Sequence, residues 1–123
     1  MTEVKKEYPI RVERFLQGAK IFQEGEQGEK MYVILKGDVE LSVRGKVIAG
    51  VARGGILGEM ALIDAGPRSA TACAKSDCEL VVIDEERFLA LVHEKPSFAI
   101  EVMKVLVARL RLMDEVTRGE IGS

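Results

Sequence analysis

Short apolar runs separated by glycines dominate the first half of this 123-residue chain. Ten of the twelve glycines lie between Gly18 and Gly66. Val39, Leu41 and Val43 alternate with polar neighbours, which is the period-two pattern of a strand with one buried face. Short strands punctuated this regularly predict an antiparallel sandwich or barrel rather than alternating strand and helix units.

The remaining strand-like segments follow the same spacing along the chain. The predicted strands are two within residues 10–22, and one each in residues 31–35, 39–43, 47–52, 68–74 and 80–83. Residues 24–29 are polar and contain two glycines, which predicts a loop. The strand after Arg68 consists of small residues, so that a ligand or a neighbouring helix can approach it closely, and both interpretations remain open.

Two helices are predicted after the last strand. Asp84 is placed to cap a helix that begins with two glutamates and ends near Lys95. Pro96 fits the first turn of a second helix, from about residue 97 to about residue 117.

The second helix is more apolar than one buried stripe requires. Between residues 98 and 113, 12 of 16 residues are apolar. We therefore expect one face to cover the strands and the other to pair with the same helix of a second copy, which makes the protein a homodimer. Burial inside the monomer is the alternative. The expected pairing face contains Val102, Leu106, Leu110 and Met113.

Composition and charge exclude several classes of function. A net charge of -2 gives no basic surface for direct nucleic-acid binding. Because the sequence has neither a signal-peptide pattern nor an apolar run long enough to span a bilayer, we expect a soluble cytoplasmic protein without a membrane partner. Cys73 and Cys78, with the single histidine His93, do not form a zinc-ligand set, and reduced thiols are expected.

The sequence also lacks the common catalytic motifs. There is no G-x-S-x-G elbow, no G-x-G-x-x-G turn and no phosphate loop that ends in Lys-Ser or Lys-Thr. Glu85 and Glu86 lie at a predicted helix start, where the helix dipole explains them. We therefore expect neither an enzyme nor a cofactor or metal.

The best candidate site lies in residues 58–71, which read G-E-M-A-L-I-D-A-G-P-R-S-A-T. Gly58 and Glu59 open a predicted helical turn, and a Gly-Pro corner then leads to Arg68 beside a small hydroxyl residue. Exposed N–H groups at a helix start and a guanidinium both favour a phosphate. The carboxylate of Glu59 can accept a hydrogen bond from a hydroxyl, so a sugar phosphate would match both groups.

Five motifs in order carry a resemblance to a known family. They are I-F-Q-E-G-E-Q-G at 21–28, M-Y-V-I-L-K-G at 31–37, G-E-M-A-L at 58–62, P-R-S-A-T at 67–71 and A-R-L-R at 108–111. With them the chain resembles the cyclic-nucleotide-binding domain of bacterial catabolite activator proteins, protein kinase A regulatory subunits and nucleotide-gated channels.

The resemblance implies a mainly β fold with flanking helices. Its core is an eight-stranded antiparallel jelly-roll-like barrel, a double-stranded β-helix, with a short phosphate-binding cassette helix and two C-terminal helices. The domain is expected to cover residues 8–117, with flexible termini at residues 1–7 and 118–123.

The resemblance also assigns roles to the candidate site. Arg68 pairs with the cyclic phosphate and Glu59 binds the ribose 2′-hydroxyl, while Arg109 is expected to pair with Glu59. The other residues of the expected ligand site are Gly58, Met60, Ala61, Ser69, Ala70, Met113 and Asp114.

Specificity for the base is expected to favour cAMP over cGMP. Ser69 directly follows the arginine, as it does in bacterial cyclic AMP receptors, whereas a threonine there is associated with guanine. Met113 and Asp114 replace the hydroxyl residues with which bacterial activators touch adenine, so the base contact departs from the family pattern.

The expected function is therefore a cyclic-nucleotide sensor that repositions its C-terminal helix and signals to an unknown effector protein. Only six residues follow Thr117, so we expect a lone domain without the DNA-binding unit of the activators. The alternative is a structural or interaction module that keeps the fold but binds no nucleotide.

Overall fold

The computed structural model describes residues 10–63 and 66–117, which form ten β-strands and three α-helices. The strands are β1 (Arg11–Phe15), β2 (Lys20–Phe22), β3 (Gln27–Gly28), β4 (Met31–Lys36), β5 (Val39–Val43), β6 (Lys46–Val51), β7 (Ile56–Leu57), β8 (Gly66–Pro67), β9 (Thr71–Ala74) and β10 (Cys78–Ile83). The helices are α1 (Glu59–Ile63), α2 (Glu85–Glu94) and α3 (Ser97–Thr117). The expected start of the domain at residue 8 and its flexible termini lie outside the described residues.

Two four-stranded antiparallel sheets form the body of the molecule. One has the strand order β1-β10-β4-β7, the other has the order β2-β9-β5-β6, and β3 pairs separately with β8. Apart from the hairpin of β5 and β6, strands that are neighbours in these two sheets come from distant parts of the chain, because the chain passes back and forth between the sheets as in a jelly roll. The predicted fold class, mainly antiparallel β with flanking helices, is confirmed.

The number and the limits of the strands differ from the prediction. The described residues contain ten strands, because the short pair β3 and β8 adds to the eight strands of the two sheets. Strand β3 forms inside the segment predicted as a loop. The strand predicted from residue 68 begins only at Thr71, because the backbone of Arg68 pairs with a loop instead. Strand β7 was not predicted.

Alternating side chains from both sheets fill the core. Val39, Leu41 and Val43 of β5 are all buried, as their spacing predicts. Val39 and Leu41 form one hydrophobic cluster with Ile34 and Leu80 of the facing sheet. A second cluster lies under the helices and contains Met31, Ile56, Leu62, Ile83 and Val102. The core therefore continues from between the sheets to the inner side of α3.

The limits of the two C-terminal helices follow local signals in the sequence. The carboxylate of Asp84 accepts a hydrogen bond of 2.9 Å from the backbone N–H of Arg87, which confirms the predicted N-cap of α2. Helix α3 has the predicted length. Cys73 and Cys78 are free thiols. Among the described residues, no helix is long and apolar enough to cross a membrane.

The predicted pairing face of α3 is wrong for Val102, Leu106 and Met113, and right only for Leu110, which is exposed. Val102 is only 1% exposed and packs into the cluster under the helices, where Leu106 joins it. The outward side carries a different apolar stripe, because α3 lies on the barrel with its Val102 side inward. This outer stripe consists of Ile100, Met103, Val107 and Leu110.

Candidate functional site

A pocket lies between helix α1, the segment after β8 and helix α3. The residues that line it are Phe22, Leu41, Gly58, Glu59, Met60, Ala61, Pro67, Arg68, Ser69, Ala70, Arg109 and Met113. Nine of the ten residues expected from the sequence are in this lining. The tenth, Asp114, has an exposed side chain and does not line the pocket.

Gly58 connects strand β7 to helix α1 at the edge of the pocket. Its φ of 73° lies in the left-handed region, which side chains disfavour. A Cβ at this position would also lie 2.5 Å from Nη1 of Arg68 and 2.9 Å from the carbonyl oxygen of Lys30. Both the turn and the close approach of Arg68 therefore require a glycine here.

Arg68 is buried, with 7% of its surface exposed, although no strand contains it. Its backbone is fixed by two hydrogen bonds to the loop before β3. Its N–H donates to Glu26 O at 2.7 Å, and its carbonyl accepts from Gly25 N at 2.8 Å. The sequence folds into this arrangement because β3 pairs with β8 immediately beside it.

The guanidinium of Arg68 has neutral partners. Nη1 donates to the carbonyl oxygens of Lys30 at 2.9 Å and Gly58 at 3.3 Å, and Cζ lies 4.3 Å from the ring centroid of Phe22. Among the described residues, Nε and Nη2 have no hydrogen-bond partner, so three of the five N–H donors remain for a ligand. Burial lowers the pKa of this guanidinium from its ordinary value, but an arginine stays charged in proteins.

Glu59 is the second buried charged residue of the pocket, with 2% exposed. Its Oε1 lies 3.3 Å from Nη1 of Arg109. Its Oε2 is buried and has no hydrogen-bond partner among the described residues. Burial raises the pKa of this carboxyl, while the charge of Arg109 lowers it. Because buried polar atoms are normally paired, Oε2 is the natural acceptor for a donor group of a ligand.

Arg109 connects helix α3 to the pocket. Besides its contact with Glu59, its Nη2 donates to the carbonyl oxygen of Ile56 in β7 at 2.9 Å. The predicted pair between Arg109 and Glu59 is therefore confirmed. One arginine thus joins the long helix to the strand and the helix that frame the pocket.

The other lining residues give the pocket a mostly apolar surface. Ala61 and Ala70 are buried, and Met113 of α3 is half-buried. The exposed Ser69 places its Oγ 3.6 Å from the sulfur of Met60. A pocket with apolar walls and a few convergent polar groups is typical of small-molecule sites.

Comparison with known proteins identifies the family to which this arrangement of strands and helices belongs. The family model described as cyclic nucleotide-binding domain matches residues 12–95. The chain belongs to this family. It is 36% identical over 103 residues to the cyclic AMP receptor protein of Thermus thermophilus, an alignment that covers 80% of this chain and 48% of that protein.

Solved structures of the cyclic nucleotide-binding domain family have the same fold. The catabolite activator protein of Thermus thermophilus superposes with a TM-score of 0.75 at 33% identity, covering 89% of this chain and 54% of the other. The cAMP-bound PfPKA-R superposes with a TM-score of 0.77 at 27% identity, covering 88% and 37%. This chain spans about half the length of the curated bacterial relatives it matches, with 48% and 46% covered.

Three residues that lie against the side chain of Arg68 were not among the site residues predicted from the sequence. They are Phe22, Gly28 and Lys30. Gly28 was interpreted as a turn glycine, yet its φ is not positive. Lys30 acts through its backbone carbonyl, which any residue carries. One signal in the sequence pointed to Phe22 and Gly28, since both lie in the family motif at residues 21–28.

The pocket has the groups that are typical of a small-molecule binding site. It combines guanidinium donors, a carboxylate acceptor and apolar walls. His93 is exposed near the end of α2 and does not line the pocket. Among the described residues, no three His, Cys, Asp or Glu side chains are grouped to hold a metal ion.

Proposed function

We propose that the chain binds a cyclic nucleotide, with cAMP preferred over cGMP, in the pocket between α1 and α3. The main support is two sets of polar atoms in this pocket that have no partner among the described residues, the three donors on Nε and Nη2 of Arg68 and the buried Oε2 of Glu59. A ribose cyclic phosphate carries an anion for the first and a 2′-hydroxyl donor for the second. Family membership supports the same ligand class.

The phosphate is assigned to Arg68 and to backbone groups around the cassette. The guanidinium can give two parallel N–H bonds to phosphate oxygens, because within the described part of the chain only Nη1 donates to protein carbonyls. Backbone groups of Gly58, Met60, Ala61 and Ser69 complete the cradle, as the family resemblance implies.

The preference for cAMP over cGMP is inferred from the relatives of the chain. The relatives point to this ligand, because one is named a cyclic AMP receptor protein and another structure is cAMP-bound. In this chain the half-buried Met113 offers an apolar surface to the base, and Asp114 follows it on α3. We therefore assign base contact to Met113, with Asp114 at the rim.

The ligand is proposed to change the position of α3 through Glu59 and Arg109. Arg109 donates both to Glu59 and to the carbonyl oxygen of Ile56. A 2′-hydroxyl that donates to the carboxylate of Glu59 withdraws negative charge from it, which changes its attraction to Arg109. The ligand can shift the equilibrium between two positions of α3 only by the difference between its affinities for the two positions.

The outer stripe of α3 supports the proposed homodimer. Its members, Ile100, Met103, Val107 and Leu110, are spaced by three, four and three residues. This is the spacing of a two-stranded helical seam, and a second copy presents the same stripe. The effector that receives the signal and the cytoplasmic location stay predictions of the sequence.

Titration calorimetry with cAMP and cGMP tests the ligand directly. A cyclic nucleotide has about 22 non-hydrogen atoms, and at roughly 0.3 kcal/mol per atom we expect a Kd in the micromolar range. We also expect cAMP at about 100 times its Kd to raise the free energy of unfolding by about 2.7 kcal/mol. Absence of both heat and stabilisation with millimolar nucleotide would favour the interaction module that binds no nucleotide.

A further inference from the structure

Gly28 of strand β3 lies against the side chain of Arg68. A Cβ at this position would lie 2.2 Å from Nε of Arg68, 2.5 Å from Cζ and 2.9 Å from Cδ. These distances are far inside van der Waals contact. Gly28 does not have a positive φ, so any residue can adopt its backbone conformation. Position 28 therefore needs a glycine to leave space for the arginine side chain, and not to form a turn.

The backbone around Arg68 is fixed from both sides. Gly28 pairs with Gly66 across β3 and β8, and the backbone of Arg68 bonds to Gly25 and Glu26 in the loop just before Gly28. A methyl group at position 28 would clash with Arg68. Because both backbone segments are fixed, rotation of the flexible arginine side chain relieves this clash, and the backbone segments do not move apart.

Rotation of the Arg68 side chain would break the contacts that orient it. Nη1 would leave the carbonyl oxygens of Lys30 and Gly58, and the guanidinium would leave the ring of Phe22. The charge of the residue would be unchanged, but the free donors on Nε and Nη2 would have a different position.

We propose that Gly28 is a positioning residue for Arg68. By presenting no side chain, it lets the guanidinium rest against Phe22 with Nη1 on two carbonyls, so that Nε and Nη2 stay available to the cyclic phosphate. This role in binding rests on the proposed function, since the phosphate is the ligand assigned to Arg68.

Calorimetry with cAMP on four chains tests this role: wild type, Gly28→Ala, Arg68→Ala and the double variant. We expect Gly28→Ala to weaken cAMP binding by at least about tenfold, and by no more than the about 30- to 4,000-fold expected for complete loss of a buried charged partner. In the Arg68→Ala background, we expect the same substitution to change the Kd by less than about twofold, because its effect passes through the arginine.

Gly50→Ala is the matched control. Gly50 lies in strand β6, has no positive φ, and has no atom within 4 Å of a Cβ added to it. We expect this variant to bind cAMP like wild type. A Gly28→Ala chain that binds within about threefold of wild type would overturn the positioning role, as would a further tenfold loss in the double variant.

Urea unfolding of the same four chains without nucleotide separates this inference from the proposed function. We expect Gly28→Ala to lower the unfolding midpoint in wild type, because Arg68 loses its contacts. In the Arg68→Ala background the midpoint should hold or rise, because the space is empty and alanine restricts the unfolded chain more than glycine does. If wild type binds no cyclic nucleotide, the proposed function fails, while this difference between backgrounds still supports the steric link. Equal effects in both backgrounds overturn it.

Discussion

The two arginines of the pocket have partners of different charge. Nη1 of Arg68 donates to two backbone carbonyls, and the rest of the guanidinium lies near the ring of Phe22. Arg109 instead forms an ion pair with Glu59 and donates to the carbonyl of Ile56. Arg68 is fixed within the barrel frame, whereas Arg109 belongs to the long helix.

This difference separates two tasks within one pocket. Among the described residues no carboxylate bonds directly to Arg68, so its remaining N–H donors are available to an anion, and the two carbonyls hold the guanidinium in one orientation. The carboxylate offsets the charge of Arg109, which therefore serves as a connection between α3 and the ribose side. We infer that changes at Arg68 remove affinity, and that changes at Glu59 or Arg109 alter ribose recognition and the response of α3.

The largest expected effect is that of Arg68→Ala. Loss of the guanidinium leaves the cyclic phosphate buried and unpaired, at a cost of about 2 to 5 kcal/mol, or about 30- to 4,000-fold in Kd. Calorimetry should show the same loss for cAMP and cGMP, because both carry the same ribose phosphate. Arg53→Ala, which removes an exposed arginine that does not line the pocket, is the control and should leave the Kd unchanged. Binding of cAMP by Arg68→Ala within about threefold of wild type would show that the phosphate lies elsewhere.

Glu59→Gln tests the ribose side of the same pocket. The amide oxygen can still accept a hydrogen bond from Arg109, but the 2′-hydroxyl no longer donates to a charged carboxylate. A hydrogen bond to a charged group contributes about 1.5 to 3 kcal/mol, so we expect a 10- to 150-fold weaker Kd for cAMP. The 2′-deoxy analogue lacks the hydroxyl and should bind wild type and Glu59→Gln about equally. An equal loss for both ligands would contradict the assignment of Glu59 to the ribose.

The affinity for cAMP should depend on pH through Glu59. Burial raises the pKa of this carboxyl above its value in the unfolded chain. Its contribution to the free energy of unfolding is therefore present below the unfolded pKa and is lost as the pH rises through the folded pKa. A 2′-hydroxyl that donates to the ionised carboxylate compensates this loss, so cAMP should bind more tightly as the pH rises through the same range.

Titrations between about pH 4.5 and pH 7.5 measure this dependence. The phosphodiester stays ionised throughout, and Glu59→Gln should remove the dependence. Arg109→Met should move it to higher pH, because the charge of Arg109 lowers the pKa of Glu59. A pH profile that is unchanged in Arg109→Met would mean that the ion pair does not control the carboxyl.

The parts of the fold that follow from local chemistry were predictable from the sequence. The alternating strand β5, the N-cap at Asp84 and the length of α3 each depend on residues close in the chain. The pair between Arg109 and Glu59, 50 residues apart, was predicted only through the family resemblance. The same resemblance supplied the roles that are assigned to Glu59 and Arg68.

Two features were beyond the sequence for physical reasons. A glycine that provides space looks the same in sequence as a glycine that provides a turn, so the role of Gly28 became visible only once Arg68 was placed against it. Helix α3 has apolar residues on all sides, so periodicity alone did not indicate which side meets the barrel. The structure places Val102 inward and Leu110 outward.

The orientation of α3 leads to a test of the proposed dimer with a matched control. Leu110 on α3 and Leu89 on α2 are both 58% exposed, so a charge at either position should leave the fold of the monomer intact. Sedimentation of wild type should show a dimer, Leu110→Glu should be monomeric because two carboxylates would meet in the seam, and Leu89→Glu should remain dimeric.

The same variants separate assembly from ligand binding. Leu110 does not line the pocket, so cAMP binding by Leu110→Glu should stay within about threefold of wild type, the smallest effect expected in this series. A dimeric Leu110→Glu, or a monomeric Leu89→Glu, would mean that the copies do not meet along the outer stripe. A monomeric Leu110→Glu that also loses cAMP would instead connect the seam to the pocket, since Arg109 and Leu110 are neighbours on α3 and pairing of the helices would then hold Arg109 against Glu59.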